Sequence, residues 1–90
     1  MAKSTPKIEL YQSPLCPYCH LAKRLLKKRG LAFESINVAL SASRRDEMIK
    51  RAKQTSVPQI FINDQHVGGY DQLAALDERG ELVKLLESSN

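Results

Sequence analysis

The sequence predicts an α/β fold whose elements follow in the order βαβαββα. Three observations carry this expectation. Two short runs with strand-like alternation, residues 7–11 and 32–38, flank a run of helical spacing, the pattern of a parallel βαβ unit with a right-handed crossover. Two later strand-like runs are separated by Asn63-Asp64, a tight-turn pair, and so form a hairpin. The remaining segments are amphipathic at helical spacing and are bounded by glycine or by capping side chains. Ninety residues are near the size at which one hydrophobic core suffices, so residues 1–90 are expected to form a single domain with 1–6 and 88–90 flexible at its ends.

The first strand, Lys7-Ile8-Glu9-Leu10-Tyr11, is broken by Gln12-Ser13-Pro14-Leu15. Leu21, Ala22, Leu25 and Leu26 then recur at helical spacing as far as Gly30, a helix-ending residue. Residues 32–38 read as the second strand. Ser41 or Ser43 caps the next helix, with Asp46 at capping-box distance from Ser43; it runs to about Lys53 and turns Met48, Ile49 and Ala52 inward. Gln59-Ile60-Phe61-Ile62 is a short apolar strand and Gln65-His66-Val67 its hairpin partner. Gly68-Gly69 breaks the chain, Asp71 caps a third helix carrying Leu73, Ala74 and Leu76, and Gly80 separates it from a last amphipathic turn through Leu82, Val83, Leu85 and Leu86.

Chemistry concentrates at the start of the first helix. Cys16-Pro17-Tyr18-Cys19 holds the only two cysteines, three positions apart, close enough to form a small disulfide ring. Cys16 falls at the N-cap and Pro17 at the first helical position, where a missing N–H costs nothing. Unpaired N–H groups and the positive dipole end favour a thiolate there. Cys19, almost one turn further in, should lie beside Cys16 but deeper, which makes an exposed attacker and a sheltered resolving thiol. Two cysteines are too few for a secreted disulfide scaffold; there is no apolar leader in the first residues and no stretch of membrane-spanning length. A reducing, cytoplasmic location is expected, where Cys-x-x-Cys beside a βαβ pattern reads as a thioredoxin-like redox motif.

The net charge of +4 is uneven: residues 1–53 hold twelve Lys/Arg against four Asp/Glu, residues 54–90 two against six. Without a reading helix or an aromatic platform this basic half argues against nucleic acid as partner and for attraction of anionic thiols and acidic protein surfaces. Tyr11 reads as packing or rim, His20 as pointing away from Cys19, and His66 as structural. A zinc site from Cys16, Cys19, His20 and His66 lacks the usual ligand spacing, so no metal is expected.

Three motifs in order, Cys16-Pro17-Tyr18-Cys19, Ser56-Val57-Pro58 and Gly68-Gly69-Tyr70-Asp71, resemble those of the dithiol glutaredoxins of the thioredoxin-fold superfamily. The similarity covers about residues 7–86 and is nearest the small bacterial glutaredoxin-3 type. The resemblance implies a four-stranded mixed sheet of order 2-1-3-4 flanked by helices, with the third and fourth strands antiparallel to the first pair. It also implies a cis Val57–Pro58 bond that turns the Val57 backbone toward Cys16, and a glutathione groove made by Tyr18, Ser56, Val57, Pro58, Gly69, Tyr70, Asp71 and Gln72.

Its activity would be glutathione-dependent reduction of protein-glutathione mixed disulfides and protein disulfides through a redox-active Cys16–Cys19 pair. Glutathione would be a co-substrate and no cofactor tightly bound. Partners would be glutathionylated or disulfide-containing proteins, ribonucleotide reductase among them, met by a monomer with no membrane role. Alternatives are a thioredoxin-like electron donor served by a flavoprotein reductase and a glutathione-ligated iron-sulfur carrier. The chain departs from the family pattern at Ser13, where many members carry Lys, at Gln54 beside Lys53, and at Gln72, where the second acid of Gly-Gly-x-Asp-Asp is absent. These departures bear on the strength of glutathione binding.

Overall fold

The computed structural model of the chain describes residues 6–87. The elements are β1 (Ile8–Gln12), α1 (Pro17–Lys28), β2 (Glu34–Asn37), α2 (Ala42–Ala52), β3 (Gln59–Ile62), β4 (Gln65–Gly68), α3 (Tyr70–Glu78) and α4 (Glu81–Glu87). The expected flexibility of 1–6 and 88–90 concerns, Pro6 apart, positions outside the described residues.

The four strands form one mixed sheet in the order β2-β1-β3-β4, as the resemblance implied. β1 and β2 are parallel, β3 is antiparallel to β1, and β4 is antiparallel to β3. The fourth strand therefore runs in the direction of the first pair, not against it, because the Asn63-Asp64 hairpin reverses the chain. Both turn residues have positive φ, 51° and 69°, the geometry whose twist suits a two-residue hairpin.

β1 is buried along its whole length, and strand alternation sends its side chains to two different cores. Ile8 and Leu10, with Ile60 and Ile62 of β3, pack against Ala22 and Leu26 of α1, Leu73 of α3 and Leu82 of α4. Tyr11 and Phe61 go to the opposite face, with Ile36, Val38 and the inward residues Met48 and Ala52 of α2. α1 and α3 thus lie side by side on one face, and α2 covers the other.

Several boundaries differ from expectation. Gln12 continues β1 instead of breaking it, since its carbonyl accepts from the Val38 N–H at 3.0 Å. Of the two candidate caps for α2, Ser41 is used: its hydroxyl accepts from Arg44 N–H at 3.2 Å, while Ser43 already lies inside the helix, so no Ser43–Asp46 box forms. α3 begins two residues earlier than an Asp71 cap requires. Gly69 is its N-cap, and the Gln72 side-chain oxygen reaches back to accept the Gly69 N–H at 2.9 Å.

Candidate active site

Cys16 is the N-cap of α1 in extended backbone geometry and Pro17 follows as the first helical residue. The Cys16 carbonyl accepts from the N–H groups of Cys19 and His20, at 3.1 and 3.3 Å, which starts the helix without help from the cysteine's own side chain. The Cys16 sulfur is left at a partly exposed position, 3.6 Å from the Val57 carbonyl oxygen, across the cis Val57–Pro58 bond.

Cys19 is fully buried, and the Ser13 backbone N–H lies 3.5 Å from its sulfur. Burial is the main reason its thiol is pushed up to about 11; the Ser13 N–H works against that shift, and the neighbouring Cys16 adds to it. Both cysteines are unbridged. The loop before them is fastened by His20, whose ring nitrogen is 2.8 Å from the Pro14 carbonyl oxygen.

Opposite Cys16, the start of β3 and the start of α3 form a groove of about 190 Å³. It is lined by Tyr18, Ser56, Val57, Pro58, Gly69, Tyr70, Asp71 and Gln72, together with Gln54 and Gln59. All eight residues named from the sequence for a glutathione groove are therefore brought together. The Tyr18 and Tyr70 rings stand 6.3 Å apart at one end. A side chain at Gly69 would approach the Pro58 carbonyl at 3.5 Å and so narrow the groove. The first turn of α3 has N–H groups without intrahelical acceptors, which suits a carboxylate.

Two features of this neighbourhood were not read from the sequence. Gln59 is buried at the head of β3, and its amide nitrogen donates to the Ser56 carbonyl at 3.0 Å and to the Gln54 side-chain oxygen at 3.1 Å. Its own oxygen sits 2.8 Å from His66 Nε2, which fixes the amide's orientation and ties the groove wall to β4. The only sequence signal was a glutamine opening an otherwise apolar strand. On the α2 face, buried Glu9 pairs with Arg51 at 3.1 Å; Arg51 also donates to the Tyr11 hydroxyl at 2.8 Å, and that hydroxyl donates to Glu47. Tyr11 is thus a packing residue with a polar tether, away from the groove. Ser13 and Lys53 are outside the groove lining, and Gln54 is within it. Among the described residues no group of three or more His, Cys, Asp or Glu side chains is placed to hold a metal, and no helix is long and apolar enough to cross a membrane.

Two thiols at a helix start, one partly exposed against the Val57 carbonyl and one buried, on a 2-1-3-4 mixed sheet define a thiol-disulfide oxidoreductase of thioredoxin-like fold. The glutaredoxin family model matches residues 8–67, and the chain belongs to that family. It is 51% identical over 80 residues to glutaredoxin 3 of Escherichia coli K12, covering 89% of this chain and 96% of the relative. It is 41% identical over 83 residues to a glutaredoxin of Pseudomonas aeruginosa, covering 92% and 99%. Among solved structures, glutaredoxin from Brucella melitensis superposes with a TM-score of 0.81 at 40% identity, covering 93% of this chain and 91% of that one. The buckwheat glutaredoxin-glutathione complex has the same fold, with a TM-score of 0.82 at 24% identity, covering 91% and 77%.

Proposed function

We propose that the chain is a single-domain, glutathione-dependent oxidoreductase in which Cys16 is the nucleophile and Cys19 the resolving thiol. The observation that carries this reading is the asymmetry of the two sulfurs: that of Cys16 is partly exposed and lies against the carbonyl of Val57, a groove residue, whereas Cys19 is a buried thiol. The Cys16 thiolate attacks the glutathione sulfur of a mixed disulfide, the partner leaves as a thiolate that takes up a proton, and glutathione remains on Cys16. A second glutathione thiolate attacks that glutathione sulfur, forming oxidised glutathione and returning Cys16 as thiolate.

With a protein disulfide, Cys16 becomes bonded to one partner sulfur. Cys19, once deprotonated, attacks the Cys16 sulfur, expels the reduced partner and closes the Cys16–Cys19 disulfide, which two glutathiones reopen. A potential within the glutaredoxin range of roughly −200 to −230 mV would let the glutathione pool drive this.

The groove supports glutathione as the co-substrate. It offers the Val57 backbone for pairing with an extended peptide and the first turn of α3 for a carboxylate, and the buckwheat neighbour is a glutathione complex. Partners would be glutathionylated and disulfide-bearing proteins of a reducing cytoplasm, ribonucleotide reductase among them, met by a monomer. NADPH consumption separates this from the reductase-served alternative. Turnover of a glutathione mixed disulfide should require glutathione and glutathione reductase; turnover with thioredoxin reductase in the absence of glutathione would overturn the reading.

A further inference from the structure

α1 and α3 both start at the site and run away from it together. Cys16 caps one and Gly69 the other, and their far ends are clamped by Arg29, which donates to both Asp77 carboxylate oxygens at 2.7 and 2.8 Å. Between them lies an open groove of about 390 Å³, roughly twice the volume of the one beside Cys16. Its apolar lining is Leu21, Leu25, Tyr70 and Ala74. Tyr70 borders both grooves, so the two are neighbours at the head of α3.

The charges along it are lopsided. Arg24 and Lys28 line the α1 side; Lys28 adds to the field that Arg29 exerts on Asp77, and Arg24 has no ion pair among the described residues. On the α3 side Asp77 is occupied by Arg29, which leaves Glu78 as the one unpaired anion of the lining. Lys23 and Lys27 add to the positive field of α1.

We propose that this groove receives an acidic segment of the protein whose disulfide Cys16 attacks, a specificity element that rests on the reading of Cys16 as nucleophile toward protein disulfides. Covalent geometry sets the register. In the mixed disulfide the partner's Cα lies about 4.4–6.8 Å from that of Cys16, so its chain starts at the head of α1. Arg24 is about 12 Å further along the helix and Lys28 about 18 Å. An extended chain advances about 3.3 Å per residue, which places the recognised acids roughly four to six residues from the target cysteine. Glutathione, a tripeptide, is too short to use these cations. The groove therefore discriminates among protein substrates without altering the reaction of small mixed disulfides.

The test uses synthetic peptides with a Cys-x-x-Cys disulfide ring and Asp, Ser or Lys at the fourth to sixth residues on both sides of the ring, reduced by the whole protein with glutathione and glutathione reductase. Asp peptides should exceed Lys peptides in kcat/KM by about three- to tenfold at low salt, with Ser between, and the spread should shrink at high salt. The double variant Arg24→Glu, Lys28→Glu should erase or invert this order while leaving a small glutathione mixed disulfide unaffected. Arg45→Glu with Lys50→Glu, the same change of net charge on α2 across the sheet, should preserve it. No order in the parent protein overturns the proposal. So does an order that survives in the α1 variant, or a loss there that extends equally to the small substrate. Failure of the parent on the small mixed disulfide would instead strike the underlying reading of Cys16.

Discussion

The rim and the floor of the site are built from the same turn of α1, and they differ in almost every physical respect. At the rim, Leu15 is 92% exposed and Tyr18 56%, and the Cys16 sulfur looks across to the Val57 carbonyl. On the floor, Cys19 has no exposed surface and continues into Ala22 and Leu26 of the aliphatic core. Three residues of helix rotate the side chain by about 300° and advance it about 4.5 Å. That small displacement leaves one sulfur accessible to a substrate and keeps the other a thiol against solvent. The place where a helix begins is enough to give two identical side chains different exposure.

Removing the rim sulfur should have the largest effect: Cys16→Ser is expected to abolish reduction of both glutathione mixed disulfides and protein disulfides in the glutathione-coupled assay. Cys19→Ser should lose turnover of protein disulfides yet keep much of its activity on mixed disulfides, because only the former need a resolving thiol. Equal losses in the two variants would erase the distinction between rim and floor.

A smaller effect concerns stability. The folded-state pKa of Cys19 is raised to about 11 by burial, so its contribution is complete while both folded and unfolded chains keep the proton. It declines as pH rises from about 8.5, where an unfolded cysteine titrates, through the folded value. Urea unfolding of the reduced protein, compared with Cys19→Ala, should show the parent losing about 2–3 kcal/mol more than the variant between pH 8 and 11. Parallel curves would mean the floor is wetter than the packing indicates.

The smallest expected effect lies at the rim's edge. Ser13→Lys should lower the Michaelis constant for glutathione a few-fold, most clearly at low salt, because an exposed charge is worth about 1 kcal/mol or less. No change across salt would indicate a glutathione pose that does not approach the loop before Cys16.

Features set by neighbours in the chain were legible in the sequence. β3 has the predicted span because Pro58 and the Asn63-Asp64 turn bound an apolar run, and Cys16 caps α1 as proline at the next position requires. The groove residues could be named together only through the resemblance of three motifs to the dithiol glutaredoxins. What depended on pairing across the fold was hidden. The Gln59–His66 bond forms only once β3 and β4 are in register, and Glu9 reads as a surface residue until α2 brings Arg51 over it. Asp71 has the composition of a cap, but the backward reach of Gln72 starts α3 at Gly69.

The contrast between rim and floor is tested most directly by timed alkylation of the reduced protein with iodoacetamide at pH 7, quenched and mapped by peptide mass spectrometry. With its thiol pushed up to about 11, Cys19 holds a thiolate fraction of only about 10⁻⁴ at that pH and has no surface open to the reagent. Cys16 should be fully labelled before Cys19 is detectably modified, and Cys19 should react only when denaturant opens the core. Labelling of Cys19 first, or of both at similar rates in the folded protein, would contradict the assignment of attacker and resolver.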